Sequence, residues 1–437
     1  MTNIYKCWEF LGSQKNALVR EIQRFPIFFG LIFLLVLSSC QLNPSDEGLN
    51  GRITIWHSWS PGEMGILNET LTQFQEIHPN VKISTVAFPY DQLLDEFMTA
   101  GTEGLGPTLL LGTDSWVGDL AEVGLISPLS QDTNKLDLFN ARNSAITQYQ
   151  GQQFGVPLSL APHALYFNKS LVSTPPITLD ELLAEAAAGR SVAFVPRFAK
   201  AYWGIQAFGD GLFDNQAHFT LAESGLTEWL SWLDEAQSAP GVIMNIDDES
   251  LMALFASGQV VYYVAGPEKQ ALIASMISEE NPFEMGITLL PGNQASPSGP
   301  LLSAETIMFY EYASPEERIV ADEFAAFLVN QQQSILFLRE LDRVPANPNV
   351  RVDPRIYPQV YGFAQQSKTA VVIPNEIVAD VLEEAGNRAY ANVLSGVLTP
   401  AKAVCNFGQA VAASQGFSET TMSIPEGCDL SFVDEQE

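Results

Sequence analysis

The 437-residue sequence predicts an α/β fold built on a parallel sheet, with a second sheet reached across a proline break. Strand and helix patterns alternate between Arg52 and Leu111, in the order strand, helix, strand, helix, strand. Between Phe154 and Leu171 two strand-like runs flank Pro162, as when a chain leaves one sheet and enters another. A proline-interrupted edge strand in a single sheet fits the same residues. An apolar content of 46% is enough for a large core, and the length allows two or three domains.

The chain begins with a region carrying Lys6, Lys15, Arg20 and Arg24 against Glu9 and Glu21. Phe25 to Leu37 is then an apolar run interrupted by Pro26 and Gly30. It is shorter than the roughly 17–25 residues of a membrane-spanning helix and has the length of a signal-peptide core. Leu37-Ser38-Ser39-Cys40 resembles a bacterial lipobox, which implies cleavage before Cys40 and lipid on its sulfur. A short uncleaved anchor is the alternative. Residues 1–39 are thus expected to be a lipoprotein signal peptide and 40–50 a flexible tether. The net charge of −30 argues against nucleic-acid binding, which needs clustered cations facing phosphate, and fits an exported protein kept in solution by its acidity.

Arg52 to Trp56 alternates as a strand, and His57 to Gly62 is a turn. Leu67, Leu71, Phe74 and Ile77 recur at helical spacing, stopped by His78-Pro79-Asn80. Val81, Ile83, Thr85 and Ala87 form a second strand, Tyr90 to Ala100 a second helix, and Thr108 to Leu111 a third strand after a Gly-rich turn. Open sheets of this kind bind ligands at the carboxyl ends of their strands, here His57–Pro61 and Gly112–Trp116. Beyond Ala164–Phe167, helices are expected over Leu179–Ala188, Leu221–Ala236, Ser250–Ser257 and Ile377–Val397, and strands over Val192–Val195, Val260–Val264, Phe283–Pro291 and Leu301–Tyr310. Ser314-Pro315-Glu316-Glu317 reads as a capping box with proline at the first helical position.

Several of these stretches together resemble the extracellular solute-binding proteins of ABC importers, family 1, which contains the maltose- and oligosaccharide-binding proteins. Gly155, Pro157 and Asn168-Lys169 fit the family's segment between lobes, with Phe167 in place of its tyrosine. Ala121 to Leu129 resembles its A-x-x-G-L-I-x-P-L stretch, and Leu254 to Pro267 its A-F-x-x-G-x-x-A-M-x-x-x-G-P stretch. Met285 to Pro291 matches a G-V-x-x-L-P strand, and Arg343 to Ala346 a returning turn. The resemblance spans roughly residues 51–410. It implies a two-lobed periplasmic-binding-protein fold, α/β throughout, each lobe a mainly parallel sheet flanked by helices and joined by hinge crossings. The N-terminal lobe is expected to take 51–160 with 302–348, and the C-terminal lobe 161–301 with 349–437.

Enzyme signatures are scarce. The sequence contains no G-x-S-x-G, H-E-x-x-H, P-loop or C-x-x-C pattern, and its four histidines are far apart, so no metal and no cofactor is expected. A glycoside hydrolase needs just two carboxylates and stays open as the enzymatic alternative. Of four cysteines, Cys7 precedes the apolar run and Cys40 ends the lipobox. Cys405 and Cys428 then form an even pair in an oxidising compartment, either disulfide-bonded or as two free thiols.

The resemblance implies that ligand sits between the lobes. Positions carried over from the family are Trp59 and Ser60, Asp114 and Trp116, His163, Arg197, Lys200, Trp203, Glu268, Glu376 and Asp380. Indole faces stack on sugar rings, while carboxylates and guanidinium groups bond hydroxyls in plane. Maltodextrin binders of the family carry an aromatic platform in the second lobe; Glu268, Glu376, Ala379, Asp380, Glu383 and Glu384 stand there instead. The expected ligand is therefore a mono- or disaccharide or a glycosylated polyol, with a cationic ligand such as a polyamine as the alternative. The implied partners are a two-subunit permease with its cytoplasmic ATPases and the membrane, reached through the lipid. A monomer is expected, anchored on the periplasmic or extracellular side.

Overall fold

The computed structural model describes residues 48–129, 141–214, 218–280, 282–375, 379–415 and 422–428. The chain divides into two compact units, residues 1–48 and 49–437. The expected signal peptide, Cys7, Cys40 and nearly all of the expected tether lie outside the described residues. No described helix is long and apolar enough to cross a membrane.

The principal elements of the second unit begin with β1 (Asn50–His57), α1 (Met64–Ile77), β2 (Asn80–Ala87), α2 (Tyr90–Thr102), β3 (Leu109–Thr113), α3 (Val117–Glu122), α4 (Ala141–Ala145) and β4 (Gly155–Leu160). Next come β5 (Ala164–Asn168), α5 (Leu179–Ala187), β6 (Val192–Phe194), α6 (Leu226–Ala236), β7 (Val242–Met244), α7 (Asp248–Ala256), β8 (Tyr262–Ala265), α8 (Gln270–Met276) and β9 (Met285–Thr288). The chain ends through β10 (Ala304–Phe309), α9 (Pro315–Leu328), α10 (Gln331–Leu341), β11 (Val344–Pro345), α11 (Pro358–Gln366), α12 (Ala379–Leu394) and α13 (Pro400–Gln415).

Two large sheets organise these elements, in the orders β11-β4-β10-β3-β1-β2 and β7-β6-β8-β5-β9. In the first, β2, β1, β3 and β4 run one way and β10 and β11 the other. In the second, β5 runs against its four companions. The reversals follow from the crossings. A strand leaving the first lobe runs toward the hinge, and a strand returning to it, such as β10, must run away from the hinge. Because β4 lies inside the first sheet and β5 inside the second, Ala161-Pro162-His163 is a passage between sheets, and the single-sheet edge strand is set aside.

Each central strand feeds two cores, as the two-residue period of a strand requires. Leu109, Leu111, Ile307 and Phe309 pack with Leu67, Phe74 and Phe324 on one face of the first sheet. Leu110 and Met308 pack with Leu93, Phe97 and Leu120 on the other. In the second sheet Leu165, Phe194 and Tyr262 face Trp229 and Leu230, while Tyr166, Ala193 and Tyr263 face Phe255. Strands buried on both faces explain why Gly155–Leu160 and Ala164–Asn168 are apolar nearly throughout.

The capping box at Ser314 and Glu317 forms, with Pro315 opening α9. Several expected boundaries shift. The first strand starts at Asn50, so the tether ends before it. Ile77 is 61% exposed, and Thr70 occupies the buried side of α1, donating to the Gln333 side chain at 3.2 Å. The helix expected from Leu221 begins at Leu226, because Gly225 turns against the Ile205 carbonyl so closely that a Cβ would lie 2.1 Å from it. The helix expected over Ile377–Val397 is described from Ala379 to Leu394 and is not the last, because the equally long α13 follows it. Cys405 in α13 is joined to Cys428 by a disulfide, and Met422–Ser423 pairs with Phe219–Thr220, strapping the tail to the second lobe.

Candidate functional site

The carboxyl ends of β1 and β3 and the start of β10 meet at one end of the first sheet. Trp59 follows β1, and its indole N–H donates to the Glu305 carboxylate at the head of β10. Arg343, just before β11, donates to the other Glu305 oxygen and to Glu63 at 2.8 Å. Its guanidinium also lies 4.0 Å from the centroid of the Trp59 ring. Glu63 in turn accepts from the Ser60 backbone N–H at 2.8 Å and from its hydroxyl at 2.7 Å. Burial raises the Glu305 carboxyl, against the pull of Arg343 and Trp59. At Glu63 burial acts in the same sense, but Arg343 and Ser60 outweigh it and hold the group below its usual value.

Asp114 opens the 3-10 turn after β3. Its Oδ1 accepts from the Ala304 N–H at 2.8 Å and the Thr113 hydroxyl at 3.1 Å. Burial pushes this carboxyl up to about 6, with those hydrogen bonds acting against it. Trp116 stacks on Tyr90 at 5.8 Å between centroids and packs over Gly112, where a Cβ would lie 2.4 Å from the indole. Tyr90 is exposed over most of its surface. Its hydroxyl is raised by burial and then by the carboxylates of Asp114 and Glu268, so one group from each sheet's loops acts on the same phenol.

In the second lobe, His163 ends the crossing from β4, and its Nε2 is buried with no hydrogen-bond partner. Burial drives its imidazole down to about 3, helped by Lys200 and Lys269 and opposed by Asp248. Lys269 pairs with Asp248 at 3.1 Å, and the Tyr263 hydroxyl donates to the same carboxylate. Glu268 follows the Gly266-Pro267 turn and is exposed, its carboxyl folded over Gly266. Asp380 is exposed in the first turn of α12. The Asp119 carboxyl on α3 is raised by burial and then by Asp380, which brings these two acids near each other across the gap.

Of the expected site residues, Asp114 and Glu268 lie close enough to act on Tyr90, Lys200 acts on His163, Asp380 acts on Asp119, and Trp116 lies beneath Tyr90. The structure does not deliver three free indole faces. Trp203 is fully buried, edge-on to Phe194 at 5.9 Å and Trp229 at 4.8 Å, and belongs to the core. Trp59 is 5% exposed, with one face under Arg343 and an edge to Phe337. Ser60 is spent on Glu63, and Arg197 is exposed. Glu376 lies outside the described residues. Sequence reasoning missed Glu63, Tyr90, Glu305 and Arg343. The Ser60-x-x-Glu63 spacing before an apolar helix was a readable cue for the first of these. Among the described residues, no group of histidine, cysteine and carboxylate side chains has the arrangement of a metal site.

Two sheets joined by crossing strands, with polar groups from both facing one gap, define a two-lobed ligand-binding protein. Residues 69–358 match the family described as bacterial extracellular solute-binding protein, and the chain belongs to that family. A maltotriose-binding protein of Pyrococcus abyssi is 24% identical over 344 residues, covering 74% of this chain and 73% of that one. A galactooligosaccharide-binding protein of Bacillus subtilis is 21% identical, covering 77% and 84%. Among solved structures, a cyclo/maltodextrin-binding protein complexed with maltotetraose superposes with a TM-score of 0.73 at 20% identity, covering 84% of this chain and 98% of that one. The cyclic alpha-maltosyl-1,6-maltose binding protein from Arthrobacter globiformis gives 0.69 at 19%, covering 83% and 98%. These superpositions establish the periplasmic-binding-protein fold.

Arg343→Met would strand two acids that are only partly exposed, Glu305 at 21% and Glu63 at 30% of their side chains. A loss of about 3 kcal/mol in urea unfolding is expected, with partial recovery when Glu305→Gln is added. A loss below about 0.5 kcal/mol, the size of a surface pair, would contradict this. Asp114 makes a pH prediction. Its folded value of about 6 lies above its ordinary 3.8. The folded state therefore keeps a proton that the unfolded chain releases, and the resulting stability is full below 3.8 and lost as pH rises through about 6. Asp114→Asn should lose less melting temperature than wild type across that window; parallel curves would refute the assignment.

Proposed function

We propose that the protein is the lipid-anchored solute receptor of an ABC importer, that it captures a small carbohydrate between its lobes, and that it delivers it to a membrane permease driven by cytoplasmic ATPases. It acts as a monomer without cofactor and performs no chemistry on the ligand. The relatives reported above are binding proteins for maltotriose and for galactooligosaccharide, which supports a carbohydrate for this chain as well. A ligand held by both lobes selects the closed arrangement; one held by a single lobe would not.

The observation that carries the size of the ligand is the loss of aromatic faces. Trp203 is core, Trp59 is covered by Arg343 and Trp116 is itself buried, which leaves Tyr90, stacked on Trp116, as the exposed aromatic ring beside the candidate polar groups. One such surface suits one or two sugar rings. Around it Asp114 and Glu268 accept hydrogen bonds from hydroxyls, and the neutral His163 supplies an imidazole nitrogen with no protein partner. The acids near the cleft, including Asp119 and Asp380, favour a polyamine as the second reading.

Calorimetry should therefore detect binding of a mono- or disaccharide or a glycosylated polyol. Submicromolar binding of maltotriose with no small sugar competing would contradict the size assignment, and tight spermidine binding would select the second reading. Cys40 is proposed as the lipid site on the strength of the Leu37–Cys40 motif. A palmitate analogue should label the wild type and spare Cys40→Ser; equal labelling of both would end that proposal.

A further inference from the structure

A groove of 470 Å³ opens beside the hinge, lined by none of the candidate ligand-binding residues. One wall is β11 with the segment as far as Val352, at the edge of the first sheet; the other is the carboxyl end of α11, including Tyr361 and Lys368. Because α11 packs on β9, where a Cβ at Gly362 would lie 2.6 Å from the Ile287 carbonyl, this second wall belongs to the other lobe. Arg142 of α4 completes the lining.

The charge of this groove is opposite to that of the chain. Its lining contains Arg142, Arg351 and Lys368 and no carboxylate, although acids outnumber bases 51 to 21 in the sequence. Arg142 is partly buried, and its guanidinium donates to the Lys368 carbonyl at 2.5 Å. None of the three pairs with a carboxylate among the described residues; the Lys368 ammonium donates instead to the Gln365 amide oxygen at 2.8 Å. Burial lowers the Arg142 guanidinium, and no acid offsets it. A partly desolvated guanidinium without a counter-ion is costly, and two further cations across the same groove add to its positive potential.

We propose that this groove is a second binding site, for a small anion carrying phosphate or carboxylate groups, seated against Arg142, Arg351 and Lys368. The planar guanidinium of Arg142 supplies paired donors to two oxygens of such a group, and the two exposed cations close over it. The anion is either free in solution or the phosphate of a lipid headgroup. The site is independent of the cleft and of the ligand proposed for it.

The test uses the chain with Cys40→Ser, so that no acyl group contributes to membrane binding. Inorganic phosphate and citrate are titrated by calorimetry at constant ionic strength, and the chain is sedimented with phosphatidylglycerol or phosphatidylcholine vesicles. Saturable binding that weakens about tenfold or more in Arg142→Gln is expected, the size of one charge-assisted hydrogen bond. Because Arg142 also braces the Lys368 carbonyl, Arg351→Gln with Lys368→Gln provides a second variant that alters exposed side chains. Binding of soluble anions assigns a free ligand, and binding of phosphatidylglycerol vesicles without soluble anions assigns the headgroup. Absence of saturable binding to either, or binding unchanged in both variants, would overturn the proposal.

Discussion

The cleft face of the first lobe depends on the placement of Arg343. This one guanidinium joins Glu63, at the entry to α1, to Glu305, at the head of β10, and covers Trp59 after β1. The loop that carries Trp59 and Glu63 is thereby tied to Glu305 and Arg343, more than two hundred residues further along the chain, at one end of the sheet. The arrangement has a cost as well as a benefit, since Glu305 is raised by burial even with the cation beside it. A partly buried ion network of this sort holds geometry more than it adds stability. The indole of Trp59 is thereby a structural part, covered on one face by Arg343 and edge-on to Phe337, whereas Tyr90 stays exposed.

The second lobe presents a different balance. His163 is kept neutral by burial and by two ammonium groups, one of which is already paired with Asp248. A neutral imidazole nitrogen without a partner, next to fixed charges that satisfy one another, suits a ligand rich in hydroxyls better than one of high charge. Acids predominate elsewhere around the gap: Asp114 and Glu268 act on Tyr90, and Asp119 is raised by burial and then by Asp380.

Much of the fold was legible because the central strands are buried on both faces and interrupted by prolines and glycines. The passage at Pro162, the capping box at Ser314 and the turn at Gly266-Pro267 are local signals, and each appears where its chemistry predicts. The start of α6 was misjudged because a close backbone approach at Gly225 leaves no trace in hydrophobic periodicity. The site was less legible. Tryptophan in a strand-end loop reads the same whether its face is free or covered, and what covers Trp59 arrives from residue 343. Trp203 looked like a cleft residue because it follows a strand, yet three-dimensional packing against Phe194 and Trp229 places it in the core. Tyr90 was read as the first residue of a helix, and its nearness to Glu268 exists only once the two lobes are built.

The central claim is that a small carbohydrate is held by both lobes at once. A crystal structure of the protein purified without refolding, carrying whatever ligand it retains, tests this most directly. The account predicts density for one or two sugar rings beside Tyr90, with hydroxyls bonded to Asp114 from one lobe and to His163 or Glu268 from the other. Density for a longer oligosaccharide, or a ligand that touches residues of a single lobe, would contradict it.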